Sequence, residues 1–595
     1  MKCFLCAIFF FLVLGLQSQA KYETVVEGVS FNSASKVILD QEAIKKSKAS
    51  NITELLATQA NISVSNTNFQ PGSIYLRGGD SSHILILVDG LPFYDASTIQ
   101  KTVNLNEIDI KSIRRIEIIK GSQSVLYGGQ ALTGVIKIET LPLEIENKAS
   151  GVFELGQYSY KKASAAGLKA LNETDGLLAR LNWFYENSKS PVLNSTQKYP
   201  NRLQSADVAY VHQDQLQTFF KISQIRQMDD IATTAMDQTA LDIEGFQARN
   251  DIAGAMAGLK GKNGKLLLGY NNGKRAFVDN SGTDEKYGSS LLNLRAEASP
   301  IVQEKFQVQA GASYSKESFV YRSSGIELSN ASVENKGLFA KADFQPSEVM
   351  EVEGGLRFDF ASYRDRVESY QLGVTFFKEL KFEYATGFKT PSLFQMYSVA
   401  YGGNPNLKPE RAQTFSASYE HFLGSPELNH IVSLAVFDTD FNNLIQYTGT
   451  PPTGGYVNVA RAHTRGVEAG YSLKKPEIYR FDLNLGYQEP WDVSNARWLI
   501  RRPLQTGSVR LTVGPRTTQA GVETLWNGER LDSFGSGQYG TLKSYLISNA
   551  FLTHQFSDQF SGYIRGNNLG NVRFESAHGF YDQGMFWFAG IEISN

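Results

Sequence analysis

Alternation of apolar and polar side chains runs through the chain from about residue 150 to residue 595. In YRFDLNLGY (479–487), Tyr, Phe and Leu side chains occupy one face, while Arg, Asp and Asn side chains occupy the other. The segment GLLARLNWFY (176–185) repeats this pattern. A period of two residues indicates a β-strand with two different faces. The sequence therefore predicts a mainly β fold.

A soluble β-sandwich or propeller alternates in the same way, so the pattern leaves two environments open. Three details favour a membrane barrel, the first being that the alternating texture continues to the last residues, MFWFAGIEISN. Apolar faces end in aromatics such as Tyr479 and Tyr487, which suits the aromatic girdles of membrane barrels. The segments also reach the ~9–11 residues that a tilted spanning strand needs. Dividing roughly 445 residues by roughly 20 per strand and loop predicts a large antiparallel transmembrane β-barrel of about 22 strands, a size known with a plugged lumen.

Residues 36–142 have a different texture, which predicts a separate α/β domain of roughly a hundred residues. The run Ile84 to Val88 in HILILVDG is continuously apolar, as in a strand covered on both faces. SNITELLATQA (50–60) predicts a short helix with Ser50 as its N-cap. We place the barrel at residues 150–595.

The first residues have the features of a signal peptide. Lys2 precedes an apolar run at 4–16, and a small-x-small site ends at Ala20. We expect residues 1–20 to be removed, and both cysteines of the chain lie in that segment. Residues 21–35 would then form a segment ahead of the α/β domain. Export without a long apolar helix favours either a soluble protein or a β-barrel in the outer membrane.

The sequence gives little support to catalysis or nucleic-acid binding. Lys and Arg number 58 against 60 Asp and Glu, so no basic patch is indicated. The seven histidines show no H-E-x-x-H spacing, and no G-x-S-x-G elbow occurs. The Gly-rich stretch at 121–134 leads into a β pattern, whereas a phosphate cradle needs a helix N-terminus. We expect no enzyme, and we interpret these glycines as tight bends and close backbone approaches.

One acidic stretch is a candidate metal site. MDDIATTAMDQTALDIEG (228–245) places Asp229, Asp230, Asp237 and Asp242 in a short loop-like region. Oxygen ligands at this spacing could hold Ca²⁺. A solvated extracellular loop without metal is the alternative.

Five stretches, in this order, resemble the signatures of TonB-dependent outer-membrane transporters. They are IYLRGGDSSHILILVDGLPFYD (74–95), IRRIEIIKGSQSVLYGGQALTGVIKIET (113–140), GFKTPSLFQMYSVAYGGNPNLKPERAQTFSASYE (387–420), NVARAHTRGVEAGY (458–471) and RGNNLGNVRF (565–574). The resemblance implies a plug domain inside the barrel, a location in the outer membrane among its lipids, and active import of a scarce large ligand. A monomer without a nucleic-acid partner is expected.

The resemblance also implies energy coupling by the inner-membrane protein TonB. ETVVEG (23–28) resembles the family's coupling motif, and its position ahead of the plug fits that role. An extended β-branched segment can add as a strand to a partner's sheet edge. The predicted coupling residues are Glu23, Thr24, Val25, Val26 and Glu27.

The plug signature supplies the remaining candidate site residues. They are Arg77, Gly78, Asp89, Gly90, Arg115, Glu117, Gly121, Leu126, Tyr127, Gly128 and Gly134. Candidates for pairing with inward-facing barrel acids are Arg77, Arg114, Arg115, Glu117 and Lys120. The family usually has Arg where this chain has Lys120, and Lys lacks the bidentate fork of Arg.

Two cargo classes follow from the resemblance. Ferric siderophores are the commonest cargo of the family, but Ser82-His83 before the apolar strand is similar to cobalamin receptors. Those receptors order extracellular loops with Ca²⁺, which the acidic stretch 228–245 would also fit. We therefore expect cobalamin or a related corrinoid as the cargo, with a ferric chelate as the alternative. The predicted ligand contacts at the plug apices are Asn66, Asn68, Phe69, Phe93 and Tyr94.

Two functions from other classes stay open. A passive porin-like channel or an adhesin would carry residues 36–142 only as an accessory domain. A secreted, soluble β-rich enzyme is the second alternative. The coupling motif argues against the first, and the length and aromatic ends of the alternating segments argue against the second.

Overall fold

The computed structural model describes residues 30–33, 36–65, 72–234, 240–241, 245–280, 282, 284–362, 366–425, 428–449, 454–535 and 537–595. The predicted signal peptide 1–20 and the coupling residues 23–27 lie outside these ranges, as do Asn66, Asn68, Phe69, Asp237 and Asp242. Within the described ranges, no helix is long and apolar enough to cross a membrane.

The described residues of the N-terminal domain, called the plug below, form eight strands and three short α-helices. The strands are β1 (Ser30–Ser33), β2 (Lys36–Asp40), β3 (Ile62–Ser65), β4 (Ser73–Leu76), β5 (Ile84–Val88), β6 (Leu91–Pro92), β7 (Arg115–Lys120) and β8 (Gly134–Glu139). The helices are α1 (Gln41–Ser47), α2 (Ile52–Leu56) and α3 (Ser124–Tyr127), with one-turn 3₁₀ helices at Ser81–His83, Leu105–Glu107 and Ile110–Ser112. Six strands form one sheet in the order β1-β2-β7-β8-β5-β6, and β3 pairs with β4.

Strand β5 lies inside the plug sheet with both faces covered, as its continuous apolar run predicts. Ile84 and Val88 pack into the main apolar core with the helices. Leu85 and Leu87 pack into a second cluster on the opposite face. β5 runs parallel to β8, whose residues also contribute to both clusters. Alternate side chains of one strand therefore join two cores.

Two local predictions need correction. The N-cap of α2 is Asn51, whose side chain accepts a hydrogen bond from the Glu54 amide at 2.9 Å. Ser50 instead donates its hydroxyl to the Glu54 carboxylate at 2.8 Å. Ser and Asn cap equally well, so the sequence could not decide between adjacent residues. The Gly-rich stretch is also more than a bend, because it begins with the single helical turn α3.

The remaining strands follow in chain order. They are β9 (Lys148–Gly156), β10 (Lys161–Ala170), β11 (Asp175–Lys189), β12 (Lys198–His212), β13 (Gln217–Asp230), β14 (Thr233–Thr234), β15 (Ala240–Leu241), β16 (Gln247–Gly261), β17 (Gly264–Val278), β18 (Asp284–Val302), β19 (Phe306–Ser323), β20 (Ile326–Ser347), β21 (Met350–Ala361), β22 (Val367–Phe376), β23 (Leu380–Lys389), β24 (Glu410–Ser425), β25 (Leu428–Thr448), β26 (Gly455–Lys475), β27 (Tyr479–Asp492), β28 (Arg497–Trp498), β29 (Gln505–Val513), β30 (Thr518–Asn527), β31 (Arg530–Ser533), β32 (Tyr539–Leu542), β33 (Tyr545–Ser557), β34 (Phe560–Asn567), β35 (Glu575–Ala577), β36 (Phe580–Tyr581) and β37 (Phe586–Ser594). One further helix, α4 (Leu393–Tyr397), precedes a 3₁₀ turn at Val399–Tyr401.

Among the described residues, 22 antiparallel strands close into a barrel when the short strand β28 is set aside. The last strand β37 pairs with the first barrel strand β9, from Phe588 opposite Gly156 to Ser594 opposite Ser150. The predicted fold class and strand number are confirmed. The other short strands, from two to four residues long, lie in loops.

The alternating pattern places apolar side chains on the outside of the barrel. Leu181 is 64% exposed and Leu372 is 61% exposed, whereas Asn182 points inward and is buried. A soluble protein would not leave such a continuous apolar wall facing water. Facing lipid, the same wall is the favourable arrangement, and the polar inward side chains face the plug.

The two ends of the barrel differ in their connections. Residues 262–263 make a two-residue turn at one end, and residues 390–409 and 568–585 form long loops at the other. Membrane barrels carry short turns on the periplasmic side and longer loops outside. The long-loop end is therefore the extracellular end.

Gly134 offers a test of close backbone packing in the plug. A Cβ atom added there would lie 2.6 Å from the Ile119 carbonyl oxygen and 2.5 Å from a Leu76 methyl carbon. Gly134→Ala should cost about 1–3 kcal/mol of plug stability, because the Ile119 carbonyl is fixed by strand pairing. Protease digestion should show a less resistant plug, while heat-modifiable migration reports an intact barrel. Gly167→Ala is the control, since nothing lies within 4 Å of its Cβ; equal protease resistance in both variants would contradict the prediction.

Candidate functional site: the plug–barrel interface

Ion pairs between the plug and the inner barrel wall surround the plug on several sides. They join Arg77 and Lys120 to Glu468, Lys101 to Glu317, Asp89 to Lys221, Asp95 to Arg275, Asp109 to Lys162, and Glu54 to Arg565, and His83 contacts Glu410 as well. Charges of both signs come from both partners. The plug is therefore held by polar contacts rather than by a dry apolar core.

Glu468 on β26 is the centre of a buried group of three charged side chains. Arg77 donates from Nε and Nη2 to its two carboxylate oxygens, each at 2.9 Å. Lys120 donates to the same carboxylate at 3.1 Å and to the Ala60 carbonyl at 2.8 Å. The Arg77 guanidinium also lies 4.6 Å from the centre of the Phe437 ring. Lys in place of Arg at 120 still pairs with the wall, as a single donor beside a bidentate one.

The burial of this group has an electrostatic cost that the shared carboxylate offsets. Burial lowers the pKa of Lys120 below its ordinary value, and the Glu468 carboxylate opposes that shift. Two cations around one anion leave the group with net positive charge. Removing Glu468 would therefore leave two buried cations without their counter-charge.

The R-G and D-G pairs of the signature are turns that aim side chains at the wall. Arg77 and Gly78 both have positive φ, at 48° and 79°. Asp89 and Gly90 repeat this with 49° and 92°, as a two-residue type I′ hairpin turn requires. A Cβ on Gly78 would lie 2.5 Å from the Thr464 hydroxyl oxygen, so only glycine permits this approach to the wall.

Asp89 joins the end of β8 to the barrel. Its carboxylate accepts hydrogen bonds from the Thr140 amide at 2.7 Å and the Thr140 hydroxyl at 2.8 Å. Lys221 on β13 donates to the same carboxylate at 3.1 Å. Burial acts to raise the pKa of Asp89, but Lys221 and the Thr140 bonds hold it below its ordinary value. Asp89 is therefore held as an anion that anchors the plug to β13.

His83 forms a second buried contact, with Glu410 on β24. Its Nε2 lies 3.1 Å from the Glu410 carboxylate, which also accepts from Lys389 at 3.0 Å. The imidazole stacks on Phe441 with ring centres 5.7 Å apart. Ser82-His83 therefore belongs to the plug–barrel contact.

Three predicted pairings with barrel acids are wrong. Arg114 bonds Glu139 and the Leu141 carbonyl within the plug segment. Arg115 lies 3.5 Å from Glu117, and Glu117 accepts from Lys36 and Lys137 across the sheet. These residues lie on the sheet, where cross-strand neighbours satisfy them before the wall can.

The Gly-rich signature loop lies against two barrel arginines. Arg295 donates to the Leu126 carbonyl at 2.7 Å and lies 5.6 Å from the centre of the Tyr127 ring. A Cβ on Gly128 would lie 2.8 Å from the Arg357 guanidinium. Gly121, with φ of 99°, ends β7 ahead of this loop. The loop therefore approaches the wall closely and has no cradle for phosphate.

At the extracellular end, the structure places the predicted ligand contacts differently from the plug tip. Phe93 packs against the plug core, and the Tyr94 hydroxyl donates to Glu317 on the wall at 2.9 Å. Among the described residues of this tip, Ile99 and Gln100 are exposed, and the sequence did not single them out. The ligand roles of Phe93 and Tyr94 stay predictions.

A loop from the wall folds inward beside this tip. Ser392 and Gln395 form a capping box that starts α4, with amide-to-side-chain bonds of 3.0 and 2.9 Å. Phe394 on this helix packs into an aromatic cluster with residues of β18 and β19. Val399 after the helix is 74% exposed. Lys101 of the plug donates to Thr390 of the same loop at 3.1 Å.

The acidic stretch does not gather as one site within the described residues. Asp229 points into the barrel, whereas Asp230 follows it on β13 and points to the opposite face. A calcium site shared by the four predicted acids stays a prediction. Elsewhere in the described part of the chain, side-chain oxygen and nitrogen atoms of Asp438, Asp440 and His463 lie within 4.8 Å of one another on the outer wall.

A polar cavity separates the plug from the wall near the periplasmic end. Its volume is about 110 Å³, and α1 lines it opposite β26 to β30. Lys46 of the plug and Arg480, Asp482 and Glu523 of the barrel contribute to its lining. The interface there is polar enough to hold water.

The sequence analysis missed the barrel partners of the plug, although a signal was present. Glu468 lies in NVARAHTRGVEAGY, and Glu410 ends the N-P-N-L-K-P-E part of another quoted stretch. Both are acids on strands that otherwise alternate. An acid on the inward face of a motif that resembles a family signature marks a candidate partner for a plug cation.

A closed outer-membrane barrel whose lumen is filled by a polar-anchored plug defines a gated receptor or transporter. Residues 148–569 match the family described as TonB dependent receptor-like, beta-barrel. Residues 30–135 match the TonB-dependent Receptor Plug Domain. The chain belongs to the TonB-dependent receptor family, and it is a TonB-dependent transporter of the outer membrane.

Relatives of known description extend along nearly the whole chain. The vitamin B12 transporter BtuB of Vibrio cholerae serotype O1 is 25% identical over 568 residues, covering 91% of this chain and 89% of its own. The BtuB of Vibrio vulnificus is 23% identical, covering 88% and 86%. Among solved structures, the siderophore receptor PirA from Acinetobacter baumannii has a TM-score of 0.82 at 17% identity, covering 95% and 99% of the two chains. The copper transporter OprC has a TM-score of 0.80 at 15%, covering 96% and 100%.

Replacing Glu468 tests the buried charge group. Glu468→Ala should destabilise the plug by about 3–5 kcal/mol, because Arg77 and Lys120 would stay buried without a counter-charge. Hydrogen exchange of plug amides in detergent measures this. Glu489→Ala is the control, since Glu489 pairs with Arg465 on the outer wall and such surface pairs contribute about 0–1 kcal/mol. Unchanged plug exchange in Glu468→Ala would show that the group does not hold the plug.

Proposed function

We propose that this protein binds cobalamin or a related corrinoid at the cell surface and imports it into the periplasm. The observation that carries the proposal is the end-to-end similarity to vitamin B12 transporters, at 25% identity over 91% of the chain. The solved structures resemble this chain in fold alone. A ferric siderophore is the alternative cargo.

The extracellular mouth has the chemistry that a large, partly apolar ligand needs. Ile99 and Gln100 are exposed at the plug tip, and Val399 is exposed on the inward-folded loop. Tyr397 and Tyr401 lie on that loop and pack against the aromatic cluster. Apolar and aromatic surface with a few polar groups is typical of small-molecule sites. We propose that ligand bound to these two segments alters the position of the plug through Lys101. Lys101 donates hydrogen bonds to Thr390 of the loop and to Glu317 of the wall.

Energy coupling is proposed for Glu23, Thr24, Val25, Val26 and Glu27, which precede the described plug. Their run of three β-branched residues, Thr24 to Val26, suits pairing with a sheet edge of TonB. β1 follows directly, so force on this segment is transmitted to the edge of the plug sheet.

Interrupting the coupling segment should separate binding from transport. Deletion of residues 23–28, or Val25→Pro, should reduce uptake to the level of a strain without TonB, because proline removes a backbone donor from the added strand. Ligand binding to purified protein should not change. Val25→Ile keeps the β-branched strand character and is the matched control. Wild-type uptake by the deletion variant would instead favour a passive channel.

Direct binding decides between the two cargo classes. Purified protein in detergent should bind cyanocobalamin at least about 100-fold more tightly than a panel of ferric siderophores, which corresponds to about 2.8 kcal/mol. Tryptophan fluorescence or calorimetry measures both, with and without Ca²⁺. Val399→Asp should weaken binding, whereas Leu216→Asp, at an exposed position in the short turn 213–216 at the opposite end of the barrel, serves as the control for a charge placed far from the mouth. Tighter binding of a ferric siderophore would replace the corrinoid by an iron chelate.

A further inference from the structure

The 3₁₀ turn Leu105–Glu107 of the plug meets the inner wall at β13 and β16, away from the charge groups described above. Asn104 donates its side-chain amide to Gln227 at 3.1 Å, and Gln227 donates to Asp229 Oδ2 at 2.7 Å. The Asn250 amide donates to Glu107 Oε1. Gln227 and Asn250 are direct partners across β13 and β16, so these side chains form one patch.

Three acceptor oxygens in this patch lack a hydrogen-bond donor from any described residue. They are Glu107 Oε2, Asp229 Oδ1 and Asn250 Oδ1. Glu107 is 2% exposed and Asp229 is 4% exposed. Each carboxylate receives one amide donor on one oxygen and leaves the other oxygen unused. Buried acceptors of this kind are costly and call for a partner.

Acidic groups outnumber the basic group beside this patch. Arg275, which pairs with Asn250 across β16 and β17, lies 3.5 Å from Asp95 and donates to the Ser97 carbonyl at 3.2 Å. Among the described residues, neither Glu107 nor Asp229 forms an ion pair. Glu107 and Asp229 are thus two buried acidic groups without an ion pair of their own among the described residues, while the other plug–barrel acids named above each have one.

We propose that Glu107 of the plug and Asp229 of the barrel, with Asn250, bind a hard divalent cation of the Ca²⁺ type between plug and wall. The donors are oxygens only, which suits Ca²⁺ rather than the thiolate and imidazole ligands that favour zinc. A charge of two neutralises the two carboxylates. Ca²⁺ also accepts irregular coordination and backbone or water oxygens as further ligands.

This site differs from the loop site that the sequence predicts. Glu107 belongs to the plug, and Asp230, the next acid after Asp229, points to the opposite face. A cation here would hold the Asn104–Glu107 turn against the barrel. Its loss would leave buried oxygens of both acids without a partner, which loosens the plug from β13 and β16.

Calcium binding to the full-length protein in detergent tests the proposal. After removal of metal with a chelator, ⁴⁵Ca²⁺ dialysis and calorimetry should show binding to the wild type. Glu107→Gln and Asp229→Asn should each weaken Ca²⁺ binding at least about tenfold, because each removes a charged ligand. Asp251→Asn is the matched control, since Asp251 follows Asn250 on β16 but pairs with Arg226 on the outer wall. Asp230→Asn should also leave binding unchanged.

Thermal unfolding separates a ligand role from a structural one. In chelator, Glu107→Gln should unfold at a temperature close to that of the wild type near neutral pH, because burial raises the pKa of Glu107 to about 8 and leaves its carboxyl group largely uncharged. With Ca²⁺ added, the wild type should gain stability while Glu107→Gln gains none. The proposal is overturned if the wild type binds no Ca²⁺. It is equally overturned if Glu107→Gln retains Ca²⁺ while Asp230→Asn loses it, which would place the ion in the loop. Neither readout depends on cargo or transport.

Discussion

Backbone hydrogen bonding in lipid is the constraint on which this structure depends. Every N–H and C=O in the membrane must find its partner within the protein, so the sheet must close. Here closure is completed by pairing β37 with β9. Closure at this strand number leaves a wide lumen, and a wide lumen needs a folded domain to obstruct it. The polar inner wall and the polar plug surface both follow from that requirement.

The contacts inside the lumen have to hold the plug firmly and still permit its rearrangement. A dry apolar interface would be stable but difficult to reopen, whereas discrete charge groups can exchange partners with water. Glu468 pairs with the plug cations Arg77 and Lys120. Glu410 contacts His83 of the plug and Lys389 of the wall. Separating such a group leaves a buried charge without its partner, so each separation costs free energy. The polar cavity beside α1 shows that the fit between these groups is incomplete.

The fold was predictable because its signals are local and repeated. The alternation of one strand can be recognised without knowing its neighbours. The five consecutive apolar residues of β5 likewise predict a strand that is covered on both faces. The site was less predictable because its partners are distant in the chain: Arg77 and Glu468 are 391 residues apart. Nothing in one strand says which inward acid meets which plug cation. The same reason explains Tyr94, whose hydroxyl is engaged by Glu317 and is not at the exposed tip.

The order of strands in the plug sheet sets the sequence in which the plug yields to tension. β1 and β2 form the edge hairpin, and β2 is joined to the rest through β7 alone. A pull on residue 30 would unzip β1 from β2, and then β2 from β7, a few hydrogen bonds at a time. Lys36, the first residue of β2, pairs with Ile119, so the Lys120 end of β7 is the first part of that strand to be loaded, whereas Arg77 in the turn after β4 is loaded later. The edge hairpin β1–β2 therefore yields to tension before the interior strands of the plug sheet do.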